Sequence, residues 1–247
     1  ADDFPRHFTH QGEGNPPAKF DPKDERWVEI WNDVFMQYHK GKDKSITPLK
    51  QKNVDTGMGF ERTLAVLSGK KSAYETDLFQ PVIKKMEQLS GKKYKDAQRE
   101  MRIVADHVRS AVFILGDENG VVPSNVDRGY VLRRLIRRAV RYAKQLGLPD
   151  NSLLSLAEIV IKGYGDYYTE LQENKELVYT ELQKEEQKFA QTLEKGLKEF
   201  ERITDKGDIS GKDAFLLFQS YGFPLEMTEE LADEKKVNVD AEGFLAE

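Results

Sequence analysis

Two glycines separated by one residue, Gly57 and Gly59, constrain the fold of this chain more than any other feature of its sequence. Glycine lets the backbone turn tightly and approach a ligand without a Cβ in the way. Apolar residues follow at helical spacing at positions 60, 64 and 67, so we predict a tight turn that enters a helix with Thr56 as its N-cap. Because a helix start offers unpaired N–H groups to an anion, the stretch is a candidate phosphate site.

Asp55 and Arg62 place a carboxylate and a guanidinium on either side of these glycines. From the residues alone, two interpretations stay open. The pair belongs to a site for a charged ligand, or Asp55 is a plain cap and Arg62 a solvated charge on an ordinary amphipathic helix. Short glycine motifs recur by chance, so the spacing does not decide between the two.

Residues 27–38 alternate between two faces, which predicts a long strand with both faces largely covered and a central position in its sheet. Asn32 lies in the middle of the more apolar face, where an amide without hydrogen-bond partners would be costly. A neighbouring strand satisfies this amide, or it serves a binding site. A polar connection with a turn at Gly41 and Asp43 predicts a hairpin whose second strand returns around residues 52–55. The hairpin would bring Asn32 close to Asp55.

The remainder of the chain is helical in its pattern. Residues 1–25 are polar, irregular and rich in glycine and proline, which predicts a loop. From residue 97 onward there is no strand-like alternation, and we place a domain boundary near residue 76. His107 lies on an apolar helix face and is expected to be a hydrogen-bonded core histidine. The 170–204 pattern predicts a helix of about 30 residues that packs within the chain. Helices are predicted over 77–89, 102–116, 152–168, 170–204 and 212–220.

Residues 121–141 combine a turn with an arginine-rich helix. Pro123 and Ser124 are turn residues, and Asn125 or Asp127 is placed to cap the helix that follows. Residues 128–144 hold seven basic side chains and no acidic one. Such a stripe suits a phosphate backbone, but it is equally typical of a helix face paired with carboxylates of neighbouring helices.

Composition excludes several classes of protein. With 38% hydrophobic and 33% charged residues among 247, the chain is globular rather than disordered. No apolar run approaches the roughly 20 residues of a membrane span, and no histidine pair has metal-ligand spacing, so neither a membrane segment nor a structural metal is expected. The absence of cysteine suits a reducing compartment, the cytoplasm or an organellar matrix. A net charge of −5 means that any nucleic-acid binding must come from a local basic patch.

The string from Asp55 to Arg62 resembles motif 3 of the class II aminoacyl-tRNA synthetases, in the form found in alanyl-tRNA synthetases. The segment from Pro123 to Ala139 independently resembles the tRNA-recognition domain of that family. The resemblance implies an α+β, mostly α fold. Residues 1–76 would form the C-terminal part of the class II antiparallel sheet, and residues 77–247 an all-α tRNA-recognition domain.

The resemblance also implies roles for residues of the first segment. Asn32 and Val34 match positions that contact alanine, and Asp55 matches the carboxylate that holds its ammonium group. Gly57 and Gly59 would allow close approach of the substrates. Arg62 would bind the γ-phosphate of ATP, which enters with Mg²⁺. These groups position substrates and neutralise charge rather than transfer protons.

For the second segment, the resemblance implies binding of the acceptor stem of tRNA(Ala). Asn125 matches a residue that reads a G·U wobble pair from the shallow A-form minor groove. Most members carry an Asp where this chain has Gln219, which can still accept a hydrogen bond but lacks the charge that strengthens it. The arginines that would engage the RNA backbone are Arg128, Arg133, Arg134, Arg137, Arg138 and Arg141.

Motifs 1 and 2 of the class II synthetases have no counterpart in the sequence. We therefore expect a fragment of an alanine–tRNA ligase that needs the N-terminal part of the catalytic domain as its partner and does not form alanyl-adenylate alone. The alternative is a non-catalytic tRNA-binding module derived from the synthetase. A different ATP-dependent enzyme is disfavoured by the second segment.

Overall fold

A computed structural model of the chain describes residues 6–10, 21 and 27–247. The chain divides into two compact units, Ala1–Gln80 and Pro81–Glu247. The first contains the sheet and the second is helical, so the α+β, mostly α fold class is confirmed.

Within the described part of the first unit, the sheet has three antiparallel strands in the order β1 (Arg6–His10), β2 (Trp27–Lys40) and β3 (Ile46–Met58). The predicted central strand and hairpin are confirmed, because β2 pairs with both neighbours and a turn at Gly41 leads into β3. The Gly41 N–H donates to the carbonyl of Ser45 (2.9 Å), which closes this turn. β3 begins at Ile46, earlier than the predicted return around 52–55.

Two other expectations for this unit were wrong. The sheet faces are not largely covered, since Phe35 and Tyr38 are 49% and 63% exposed. Alternation reports which residues share a face, whereas coverage depends on what packs there. The predicted loop over 1–25 contains strand β1, which acquires its structure by pairing with β2. The rest of that prediction, apart from Asp21, lies outside the described residues.

The glycine motif does not form the predicted tight turn. Gly57 lies within β3 opposite Asn32, and Gly59 has an extended conformation with φ −73° and ψ 109°. Helix α1 (Phe60–Leu67) begins directly after it. Thr56 is not the N-cap, because it is paired in the strand opposite Asp33. Pairing with β2 extends β3 through Met58 and overrides the local turn tendency of the glycines.

The second unit is built from helices. Short 3₁₀ turns at Ala73–Glu75 and Tyr94–Asp96 precede and follow the helix Gln80–Ser90, the first of them within the first unit. The core is formed by the apolar faces of four helices that pack on one another, Gln98–Gly116, Asp127–Leu146, Ser152–Tyr164 and Lys175–Thr204. The α-helices that the structure describes from residue 80 onward are α2 (Gln80–Ser90), α3 (Gln98–Gly116), α4 (Asp127–Leu146), α5 (Ser152–Tyr164), α6 (Glu170–Glu173), α7 (Lys175–Thr204), α8 (Gly211–Tyr221), α9 (Leu225–Lys235) and α10 (Ala241–Leu245).

Three helix boundaries differ from the predictions, and at one of them a tertiary contact intervenes. The 170–204 pattern is broken at Asn174, whose side-chain amide donates to the Gly116 carbonyl (3.0 Å). The 30-residue α7 begins after this break and, as predicted, packs within the chain. Helix α5 ends at Tyr164 rather than residue 168, and α2 begins at Gln80 rather than residue 77.

Candidate functional site

One face of the sheet carries the residues predicted to bind the amino acid. Val34 on β2 is directly opposite Asp55 on β3, and Asn32 is opposite Gly57. Opposite residues of an antiparallel pair share a face, as do residues two apart along a strand. Asn32, Val34 and Asp55 therefore lie on one face, with Asn32 and Asp55 diagonal neighbours at a typical spacing of about 7–8 Å. This agrees with the predicted proximity of Asn32 and Asp55.

The amide of Asn32 is incompletely satisfied. Its Nδ2 lies 3.5 Å from Glu29 Oε1, at the limit of a hydrogen bond, and its buried Oδ1 accepts no hydrogen bond from the residues that the structure describes. A Cβ placed on the opposing Gly57 would have no atom of the described residues within 4 Å. On this face, therefore, the Asn32 amide oxygen has no donor among the described residues. Their packing would also leave room for a side chain at Gly57.

Arg62 projects from α1 toward β2. Its Nη1 donates to the main-chain carbonyl of Glu29 at 2.7 Å, which ties the first turn of α1 to the strand that carries Asn32. The side chain is exposed, and a guanidinium has five donor hydrogens. A Cβ on Gly59 would make only an ordinary 3.5 Å contact, with the Cβ of Arg62. Arg62 therefore keeps donors for an anion.

The turn before α4 holds the residue predicted to read the RNA. The N–H of Ser124 donates to the Gly129 carbonyl (3.0 Å), and a Cβ on Gly129 would collide with the Ser124 side chain. The predicted cap was wrong: Val126 occupies the N-cap position of α4, and Ser124 Oγ accepts from its N–H (3.3 Å). Asn125 is exposed, and its Oδ1 instead accepts a hydrogen bond from Arg133 Nη1.

Two arginines of α4 converge on a buried carboxylate of α7. Glu185 is 4% exposed, and its Oε1 lies 2.6 Å from Arg137 Nε and 3.4 Å from Arg133 Nε. Arg137 is itself 8% exposed and donates through Nη1 to the Gly222 carbonyl at 2.5 Å. Arg133 Nη2 lies 3.3 Å from the Pro123 carbonyl. This arrangement corresponds to the carboxylate-paired alternative that the sequence left open.

The next turn of α4 is tied to α9. Arg138 and Arg141 both donate to Glu230, at 2.7 and 3.1 Å, as does the Tyr142 hydroxyl at 2.7 Å. Burial alone would raise the pKa of Glu230, but these hydrogen bonds and charges outweigh burial and lower the pKa to about 2. Glu230 is therefore ionised at neutral pH and holds α9 against α4.

His107 is the core histidine that the sequence predicted. Its ring is buried, and Nε2 lies 3.1 Å from Arg138 Nη1, which can only donate. Burial, with the Arg138 charge as a second cause, lowers the pKa of His107 to about 4. The ring is neutral at physiological pH and accepts the arginine hydrogen bond.

Fewer arginines of α4 are exposed than the arginine-rich sequence of this helix indicated. Arg128 is exposed and has no ion-pair partner within residues 27–247, whereas the half-exposed Arg134 pairs with Glu226. Gln219 is exposed near the end of α8. Sequence reasoning missed Glu185 and Glu230 as partners. Glu185 could have been noticed, because it falls on the apolar face of α7 in line with Leu182 and Phe189.

Comparison with known proteins identifies the class. Residues 4–247 match the family of class II (A) tRNA synthetases, and the chain belongs to that family. Its relatives include proteins named alanine–tRNA ligase from Treponema denticola and Treponema pallidum, 56% and 50% identical over 228 residues. Each alignment covers 89% of this chain and 38% of the relative. An alanine–tRNA ligase from Bacillus cytotoxicus is 42% identical over 97% of the chain and 29% of its own length.

The chain thus spans less than two-fifths of the length of the relatives it matches. Among the described residues, no three His, Cys, Asp or Glu side chains are grouped so that they could hold a metal ion. In the same residues, every helix is too short or too polar to cross a lipid bilayer.

Proposed function

We propose that this chain is part of an alanine–tRNA ligase, which activates alanine with ATP and Mg²⁺ and transfers it to tRNA(Ala). The observation that carries the proposal is the shared sheet face of Asn32, Val34 and Asp55, where the Asn32 amide oxygen and the space beside Gly57 have no partner among the described residues. The names of the relatives support the same reaction.

The chemistry of this face suits a small amino acid. In the proposed complex, the Asp55 carboxylate pairs with the alanine ammonium, and Asn32 Oδ1 accepts one of its hydrogens. The bare backbone at Gly57 and Gly59 lets the substrate approach, and the free donors of Arg62 bind the γ-phosphate. Mg²⁺ enters with the nucleotide. Catalysis then consists of positioning and charge neutralisation, without a protein acid or base.

The helical unit is proposed to bind the acceptor stem. Asn125 and Gln219 are exposed polar groups that can reach base edges, and Arg128 and Arg134 are available to phosphates. Arg133, Arg137, Arg138 and Arg141 make ion pairs within the protein and are proposed to support this surface. The proposed role in protein synthesis is consistent with a location in the cytoplasm or in an organellar matrix.

The rest of the catalytic domain is the proposed partner of the sheet. Exposed apolar side chains on β2 and β3, including Phe35, Tyr38 and Val54, offer a surface for it. The exposed Val34 on the face of the proposed site favours the alternative for this chain in isolation, a tRNA-binding module without catalysis, because an open site cannot exclude water.

Two measurements on this chain test the proposal. We expect it to bind an acceptor-stem RNA hairpin carrying G·U more tightly than the same hairpin with G·C, and to show no alanine- and ATP-dependent pyrophosphate exchange. Asn125→Ala should abolish the base-pair preference, while the exposed control Asn119→Ala should retain it. Equal binding of both hairpins by the wild type would refute the proposed reading of G·U. Pyrophosphate exchange by this chain would show that it is a complete catalyst.

A further inference from the structure

A single buried carboxylate lies between the two predicted RNA-reading positions. Glu185 contacts both Arg133 and Arg137, and each of these arginines reaches a different segment. Arg133 reaches the turn that carries Asn125, and Arg137 reaches the end of the helix that carries Gln219. All of these groups belong to the helical unit.

The first connection fixes which way the Asn125 amide faces. A guanidinium has only donors, so the group that it contacts must be the amide oxygen. With Oδ1 held by Arg133, the Nδ2 of this exposed residue makes no hydrogen bond with the described residues and remains available as a donor. The second Arg133 contact, to the Pro123 carbonyl at 3.3 Å, holds the backbone of the same turn. Oriented in this way, the Asn125 amide can donate hydrogen bonds to acceptor atoms on base edges. Both grooves of a base pair provide such acceptors.

The second connection fixes the end of α8. Gly222 is the C-cap of α8 with φ +73°, and its carbonyl accepts from Arg137 Nη1 at 2.5 Å. A Cβ at this position would collide with the Arg137 guanidinium, so the close approach requires glycine here. Gln219 lies three residues earlier, on the last turn of the same helix. The position of Arg137 therefore sets the position of Gln219.

We propose that Glu185 is a positioning residue for acceptor-stem recognition: through Arg133 and Arg137 it fixes the orientation of Asn125 and its separation from Gln219. The inference rests on the proposed function, since it concerns how those two residues read a base pair. In this inference, Arg133 and Arg137 hold Asn125 and Gln219 in position and do not contact phosphate.

The test compares Glu185→Gln with Glu186→Gln, the neighbouring carboxylate of α7, which is equally buried and lies against the start of α5. Binding of each variant to the G·U and G·C hairpins is measured at several salt concentrations. We expect Glu185→Gln to reduce the preference for G·U roughly tenfold, the order of one well-placed base contact, without changing the salt dependence. Glu186→Gln should keep the wild-type preference.

Arg133→Met provides a second test that leaves the Glu185–Arg137 pair in place, should Glu185→Gln fail to fold. As a positioning change, it should remove the G·U preference at unchanged salt dependence. If Arg133 instead contacted phosphate, both hairpins would bind more weakly by the same factor and the salt slope would fall by about one. That result, or an unchanged preference in both variants, would overturn the inference. A wild type without any preference would refute the proposed reading of G·U, the part of the proposed function on which this inference rests.

Discussion

At the residue scale, the buried carboxylate of Glu186 makes the stability of the folded protein depend on pH. It is 5% exposed and lies against the start of α5, and its Oε2 accepts no hydrogen bond from the described residues. The cap residue Asn151 makes no side-chain cap of its own; its Oδ1 accepts from Gln187 (3.1 Å). Burial, helped by the Asp150 charge, outweighs the opposing effect of the main chain at residues 151–153 and raises the pKa of Glu186 to about 7.

The sign of the resulting pH dependence follows from the raised pKa. The folded state holds the Glu186 proton more tightly than the unfolded chain, whose pKa is near 4.5. The stability from this group is present below pH 4.5 and is lost as the pH rises to about 7. Glu186→Gln should therefore gain stability relative to the wild type over this window, by up to about 3 kcal/mol. Urea denaturation of both proteins between pH 5 and 8 measures this, and a pH-independent difference would contradict it.

At the scale of elements, the packing of α7 against the end of α8 depends on one glycine. Phe223 follows the C-cap of α8, is fully buried, and packs on Phe189 with ring centroids 6.0 Å apart. A Cβ on Gly196 would lie 2.5 and 2.7 Å from two ring carbons of Phe223. The absence of a side chain at Gly196 thus lets the Phe223 ring approach the backbone of α7, which explains a glycine in the interior of this helix.

Gly196→Ala should destabilise the protein by about 1–3 kcal/mol, because overpacking outweighs the better helix propensity of alanine. Gly163→Ala is the matched control. That glycine lies in α5 with nothing within 4 Å of a Cβ among the described residues. The control should gain up to about 1 kcal/mol. Thermal and urea unfolding of the two variants measure the difference. Equal stabilisation by both substitutions would show that the Phe223 ring moves aside freely.

At the scale of the whole molecule, the charge balance limits how this chain can bind RNA. The net charge is −5, and four of the six arginines of α4 are neutralised inside the protein by Glu185, Glu230 and Glu234. Long-range attraction is therefore weak. Binding must depend on shape and a few direct contacts, with Arg128 and Arg134 as the accessible cations of the helix.

We therefore expect a shallow salt dependence for hairpin binding. Two phosphate contacts predict a slope of log K against log salt of roughly −2, whereas six arginines on phosphates would give about −5. Binding isotherms between 50 and 300 mM salt distinguish these values. Arg128→Gln should reduce the slope by about one unit, while the exposed Arg202→Gln, paired with Glu199 on α7, serves as control. A slope near −5 would mean that the internal ion pairs open on binding.

The sequence determined most of the elements and their order, apart from strand β1 and the break between α6 and α7. Alternation predicted the central strand, helical periodicity predicted α3, α7 and α8, and the two motif strings predicted the family, because each of these signals is local in the chain. The proximity of Asn32 and Asp55 also followed from a local feature, the hairpin.

Only the tertiary structure decided what each polar side chain contacts. Pairing with β2 kept Thr56 and Gly57 in a strand, although their local preference indicates a turn. The arginines of α4 met carboxylates that lie 48 to 93 residues away in the chain. Periodicity places a side chain on a face, but its partner comes from another element, and the energy of a buried charge depends on that partner. For this reason the sequence indicated a basic stripe, whereas in the folded protein most of its arginines form internal ion pairs. The amides of Asn125 and Gln219 remain exposed.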